Sequence, residues 1–245
     1  MKADRETLVR DIAVEHPQAV RVFESHGIDY CCGGRRPLEE ACREANVAVE
    51  KVLEELAQPK AADEPDQRWQ EASLADLADH IVEKHHAFVR QESPRLTALA
   101  SKVRSRHGSI HPELTKIEET FGALAFELNH HMLKEERVLF PMIKRLEEAS
   151  RSAPSTAGEY RNVEFPIRQM MSEHDNAGEL LSAIRSETGQ FRAPGDACPS
   201  FRALYHGLEE FERDLHRHIH LENNILFPRA VLATNLTTEE SGVTL

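Results

Sequence analysis

The chain has 245 residues, with 30 Lys and Arg against 42 Asp and Glu, for a net charge of −12. That balance excludes a protein that must neutralise phosphates to hold nucleic acid, while the length accommodates a domain of ordinary size plus a small one. The opening "MKADRETLVRDI" has no apolar signal core and no apolar run is long enough to span a bilayer, so a cytoplasmic protein without membrane association is expected.

Residues 1–57 form the first expected unit, a small helical domain. "TLVRDIAVEHPQAVRVFESHGIDY" carries apolar residues at helical spacing, and "PLEEACREANVAVEKVLEEL" begins with Pro37, a favoured first helical residue. Between them lies "CCGGRR". The polar stretch 58–67, with Pro59 and Pro65, reads as a linker.

Residues 68–235 show four long helical patterns and no strand, and 236–245 read as a disordered tail. Ser73 with Asp76 resembles a capping box that opens the first helix, which should bend or end before Pro94. The second runs from about Pro112 to Lys144, with Pro141 kinking or ending it. Pro166 opens the third, and the fourth follows "APGDACP" and runs to about Phe227.

Polar groups interrupt the apolar seams. In the second helix Leu114, Ile117, Phe121, Leu124 and Leu128 step by three and four, and the same steps reach His131, Glu135 and Val138. The fourth has Leu204, Leu208, Phe211 and Leu215, then His218 and Glu222. The third has Ile167, Met170, Ala177, Leu181 and Ile184, with His174 between Met170 and Ala177. In the first helix, Leu74, Leu77, Ile81 and Phe88 would put His85 inside, whereas Ala75, Val82 and Val89 would put His86 inside; periodicity does not choose. The motif HxxxExxxLFP occurs twice, from His131 and from His218. His86 to His131 spans 45 residues and His174 to His218 spans 44, which suggests two facing helical hairpins in an antiparallel four-helix bundle.

Burying carboxylates and imidazoles is costly unless they are paired, and metal coordination pairs several at once. Residues at i and i+4 share a helix face, so each HxxxE pair can offer nitrogen and oxygen to one small volume. Two bridging glutamates with two imidazoles per metal describe a di-iron site with room for an oxygen bridge and an exogenous ligand. A single histidine such as His174 on an apolar stripe is ordinarily a hydrogen-bonded core residue, but two copies of the pair on core seams weigh against that account. Zinc would leave ligands unused. Ferritin-like bundles use ExxH with lone Glu residues, so the nitrogen-rich HxxxE set argues for the hemerythrin-like class.

"HHMLKEERVLFPMIK", "SEHDNAGELL", "HIHLENNILFPRA" and "DYCCGG" together resemble the repair-of-iron-centres family, the YtfE/ScdA type of hemerythrin-like di-iron proteins, from about Glu6 to Ala230. The resemblance implies a small helical N-terminal domain and a hemerythrin-like antiparallel four-helix bundle holding two non-haem iron ions with carboxylate and oxo bridges. It implies His86, His131, Glu135, His174, His218 and Glu222 as ligands, choosing His86 over His85, with His107 as a further possible one. His85, His130 and His220 are then expected behind the site or in solvent. The implied partners are proteins with damaged [2Fe–2S] or [4Fe–4S] clusters, and nitric oxide or oxygen as small ligand.

Adjacent Cys31 and Cys32 cannot form a relaxed disulfide with each other. Arg35, Arg36 and the following helix start would favour thiolate, and Gly33 and Gly34 permit a close approach to another surface. A lone CC is ordinarily a small buried residue beside a turn; within the family motif the pair is expected to handle nitric oxide, electrons or iron. Cys42 is expected in the core and Cys198 in a loop. The functional expectation is an all-α protein, monomer or homodimer, that repairs iron–sulfur clusters damaged by nitrosative or oxidative stress by supplying iron. Alternatives are a nitric oxide reductase forming nitrous oxide, with the thiols replenishing electrons, and an oxygen or nitric oxide sensor.

Overall fold

Helices form wherever the chain shows three-and-four spacing, and no strand occurs among the described residues, as expected for an all-α protein. The structure, a computed structural model, describes residues 3–16, 18–31, 33–57, 66–152 and 163–239. No helix among them is long and apolar enough to cross a membrane. The chain divides into two compact units, one of residues 1–78, 146–159 and 216–245 and the other of residues 79–145 and 160–215.

The first unit begins with four short helices, α1 (Val9–Glu15), α2 (Ala19–His26), α3 (Leu38–Glu44) and α4 (Val49–Ala57). Each is too short to persist alone, and packing of Val9, Ile12, Phe23, Tyr30, Leu38 and Val52 into one core holds them. Gly27 ends α2 at φ 66°, where a side chain would be strained, and lets the Ile28 N–H return to the Phe23 carbonyl at 2.9 Å. Helix α5 (Asp66–Glu71) includes the last two residues of the expected linker; residues 58–65 lie outside the described residues. Ser73 accepts the Asp76 N–H at 2.9 Å, the expected cap of α6 (Leu74–His80). The Glu147 carboxylate adds a cap that spacing could not show, accepting from the Leu74 and Ala75 N–H groups at 2.9 and 3.1 Å.

The second unit is a ring of four antiparallel helices. Helix α7 (Ala87–His107) pairs with α8 (Glu113–Lys134) through Arg104–Glu118 near the turn and Arg90–Glu136 at the other end. Helix α8 pairs with α10 (Glu164–Glu187) through Glu127–Asn176 and His131–Glu173, and α10 with α11 (Pro199–His220) through Arg185–Glu212. The α7 side closes on α11 through His85–Asp214, Phe88–Phe211 and His107–Cys198. In the α7–α8, α8–α10 and α7–α11 pairs one number rises as the other falls, which fixes the antiparallel sense.

Among the described residues three helical runs contain a π turn: Ile81–His86, Glu135–Leu139 and Leu221–Leu226. A π turn fits one extra residue into the helix and rotates everything beyond it. That resolves the two stripes of the first helix. Leu74, Leu77 and Ile81 face inward before the turn and His86 and Val89 after it, while His85 and His86 are both buried. It also corrects the second seam. Past Glu135 the inward position is Leu139, and Val138 is 52% exposed.

Neither Pro141 nor Pro228 ends its helix; α9 (Phe140–Ser152) and α12 (Phe227–Glu239) continue from the π turns. A proline has no N–H to give the carbonyl four residues back, so it sits well behind a turn whose hydrogen bonds already skip a residue. This accounts for the repeated LFP. Helix α12 runs to Glu239, and 240–245, most of the expected tail, lie outside the described residues.

Pro94 is likewise inside α7, contrary to the expected bend or end, because Val89, Leu96, Ala100 and Val103 bury the helix on both sides of it. A proline in a helix interior costs about 3 kcal/mol. Pro94 itself is exposed, so Pro94→Ala should raise stability by about 1–3 kcal/mol in urea unfolding. A loss of stability would show that α7 depends on the ring.

Candidate metal centre

The second unit buries Glu135 completely, together with His86, His131 and His174. Glu135 begins the second π turn and His86 ends the first, so both stand where the helix register changes. The two Glu135 oxygens face different histidines. Oε1 lies 3.2 Å from His131 Nε2 and Oε2 lies 3.4 Å from His86 Nε2. His131 Nε2 and His174 Nε2 approach to 2.9 Å, and donor atoms of His131, Glu135 and His174 lie within 4.8 Å of one another. Nitrogen lone pairs and a carboxylate converging in a buried site repel unless a proton or a cation sits among them, and borderline nitrogen with hard oxygen suits iron.

In the first unit His218 and Glu222 are buried on one helix face, with His218 Nε2 3.1 Å from Glu222 Oε1. Their spacing and burial repeat those of His131 and Glu135.

Two carboxylates that sequence reasoning missed stand behind the histidines. Glu136 accepts from His86 Nδ1 at 2.6 Å and is paired with Arg90; Glu173 accepts from His131 Nδ1 at 2.9 Å and is paired with Lys134. Hydrogen bonding from His131, working against burial, holds the Glu173 carboxyl down at about 2. Burial would raise Glu136, but the hydrogen bonds from His86 and Arg90 outweigh it and its pKa is lowered. The available signal was adjacency: Glu136 follows Glu135, and Glu173 precedes His174.

A hemerythrin HHE cation binding domain matches residues 77–230, and ScdA_N, a domain of unknown function, matches residues 5–60. A probable iron–sulfur cluster repair protein of Haemophilus influenzae is 40% identical over 224 residues, covering 90% of this chain and 95% of that protein. The iron–sulfur cluster repair protein YtfE of Escherichia coli O157:H7 is 39% identical over 233 residues, covering 94% and 98%, and its Citrobacter koseri namesake is 38% identical, covering 93% and 97%. The chain belongs to the hemerythrin-like iron–sulfur cluster repair family.

For this hemerythrin-like chain the domain implies iron binding, and the buried His and Glu groups suit it. The histidines beside the expected ligands divide. His130 is exposed; His85 is buried with Nδ1 3.0 Å from Asp214; His220 is buried, and burial pushes its imidazole down to about 4. His107 does not join the centre. It ends α7, twenty-one residues from His86, or roughly 30 Å along the helix at 1.5 Å per residue, and its Nε2 lies 3.2 Å from Cys198 Sγ.

The DYCCGG segment of this hemerythrin-family chain sits, within the first unit, against the helix that carries His218 and Glu222. Asn224 Nδ2 donates to the Tyr30 carbonyl at 3.2 Å, and the His220 ring meets the Tyr30 ring edge-on at 5.4 Å. Glu24 takes the Arg217 guanidinium at 2.8 and 3.0 Å and the Tyr30 hydroxyl at 3.1 Å. Cys31 is buried, and its sulfur lies 3.3 Å from Asp29 Oδ1. Arg36 binds Glu44 and the Gly33 carbonyl. Cys32 lies outside the described residues. The close approach at Gly34 is internal: a Cβ there would meet the Tyr30 carbonyl oxygen at 2.4 Å, so only glycine closes the loop. Cys42 is in the core, where burial pushes its thiol up, and Cys198 is half-buried just before α11.

Proposed function

We propose that the chain repairs damaged iron–sulfur clusters by supplying iron, held as a pair of ions by His86, His131, Glu135, His174, His218 and Glu222. The observation that carries this reading is the division of Glu135. One oxygen faces His131 and the other faces His86, the disposition of a carboxylate that bridges two metals rather than chelating one. A repeated HxxxE, buried in the same way at His218 and Glu222, supports a second bridge. Relatives sharing 38–40% identity over nearly the whole chain are named as iron–sulfur cluster repair proteins, which supports the target class.

Iron held here would be cargo, delivered to clusters that have lost it. Carboxylates and imidazoles release metal as they gain protons, which gives the ligand set a route to letting go. The N-terminal thiols are proposed to serve this transfer, because their loop rests on the helix that bears two of the ligands.

The test is iron content of protein from iron-replete cells, followed by incubation with a dehydratase whose [4Fe–4S] cluster has been damaged by nitric oxide. About two irons per chain, with recovery of dehydratase activity matched by iron leaving the donor, is the expected result. One zinc per chain would remove the di-iron reading. Nitrous oxide in the headspace without iron transfer would replace donation with nitric oxide reduction.

A further inference from the structure

Two half-buried carboxylates reach the rear of two fully buried imidazoles. A carboxylate only accepts, so Glu136 at 2.6 Å fixes the proton of neutral His86 on Nδ1, and Glu173 at 2.9 Å does the same for His131. The Nε2 lone pairs of both rings are thereby turned toward Glu135.

Each carboxylate is anchored from outside as well. Arg90 holds Glu136; Lys134 holds Glu173, with Gln169 donating to it at 2.9 Å. The connections cross between helices. Glu136 adjoins the α8 side's Glu135 yet serves His86 at the start of α7, and Glu173 adjoins His174 on α10 yet serves His131 on α8. An ordinary surface ion pair contributes little to stability and has no need of a buried imidazole as its third member. Two such chains of cation, carboxylate and imidazole, each ending on a histidine of one buried cluster, call for a common purpose.

We propose that Glu136 and Glu173 are positioning residues that hold His86 and His131 in the metal-binding tautomer and strengthen them as donors, so that iron retention is set by side chains that do not touch iron. Arg90 and Lys134 keep the carboxylates aimed inward. The inference rests on the di-iron reading of the centre.

The experiment uses the full chain loaded anaerobically with ferrous iron. It compares the native protein with Glu136→Ala, Glu173→Ala and Glu136→Gln, reading the rate at which ferrozine strips iron, the midpoint potential of the centre and the melting of the apoprotein. Loss of an outer partner of a ligating histidine costs about 10–100-fold in metal affinity, so the alanine variants should release iron about 10–100 times faster. Their potentials should rise, because a negative charge behind the ligand has gone, while apoprotein melting stays near native. Glu136→Gln, which can still accept from Nδ1 but carries no charge, should fall between. Unchanged release and potential in the alanine variants would overturn the proposal, and if those fail to fold, an unchanged potential in Glu136→Gln does so. A native chain that takes up no ferrous iron overturns the di-iron reading itself, a result distinct from any variant's.

Discussion

Glu135→Ala should abolish the stabilisation that ferrous iron confers. A ligand that binds only the folded state stabilises it by about 2.7 kcal/mol at one hundred times its dissociation constant and about 4.1 at one thousand times. Glu135 is completely buried, with one oxygen toward His131 and the other toward His86, so the alanine variant loses two of the donors proposed for the centre. Thermal melts with and without ferrous iron should therefore separate in the native chain and coincide in the variant, with repair of a damaged dehydratase lost alongside. Glu83, exposed on the π turn that ends at His86, provides the control, and Glu83→Ala should melt and repair as the native chain does. An iron-dependent rise in melting temperature that survives in Glu135→Ala would remove this carboxylate from the centre.

Tyr30→Ala should cost about 3–5 kcal/mol, the range for deleting a fully buried aromatic ring. The ring is inaccessible to solvent, stacks on Phe23 at 6.2 Å and meets His216 and His220 edge-on at 6.2 and 5.4 Å. Burial, reinforced by the Glu24 charge, pushes its phenol far above the ordinary tyrosine range, so it stays protonated and donates to Glu24. Tyr30→Phe keeps the packing and loses that one hydrogen bond, for about 1 kcal/mol. Urea unfolding of both variants measures the difference. A cost below about 1 kcal/mol for alanine would mean that the ring does not anchor the loop.

Much of the bundle was legible because burial imposes a simple period. Ile167, Met170, His174, Ala177, Leu181 and Ile184 all stand on one buried face of α10, as their spacing predicts, and so do Leu204 through Glu222 on the fourth run. The reading failed where the period itself changes. No residue pattern announces a π turn, so Val138 was placed inside and the choice between His85 and His86 stayed open. Pro94 defeated local propensity because packing on either side outweighs one lost hydrogen bond. Glu136 and Glu173 had only adjacency to Glu135 and His174 to mark them, because their partners lie 50 and 42 residues away. Asp29 was not legible either, since its position beside the Cys31 sulfur depends on how the loop closes around Gly34.

The π turns also limit how the centre could be moved elsewhere. Each residue of a helix advances the facing direction by about 100°. A designer who copied HxxxExxxLFP into a perfectly regular helix would bring His131 and Glu135 to the chosen face but swing Leu139 away from it and bury Val138 instead. Deleting one residue between Glu135 and Leu139 would remove the extra residue and restore a regular helix, with the leucine back at the inward position and α9 facing as it does now. The motif as written is therefore portable only together with its π turn: a transplant that keeps every residue in a regular helix turns the LFP half away from the core even with every ligand present.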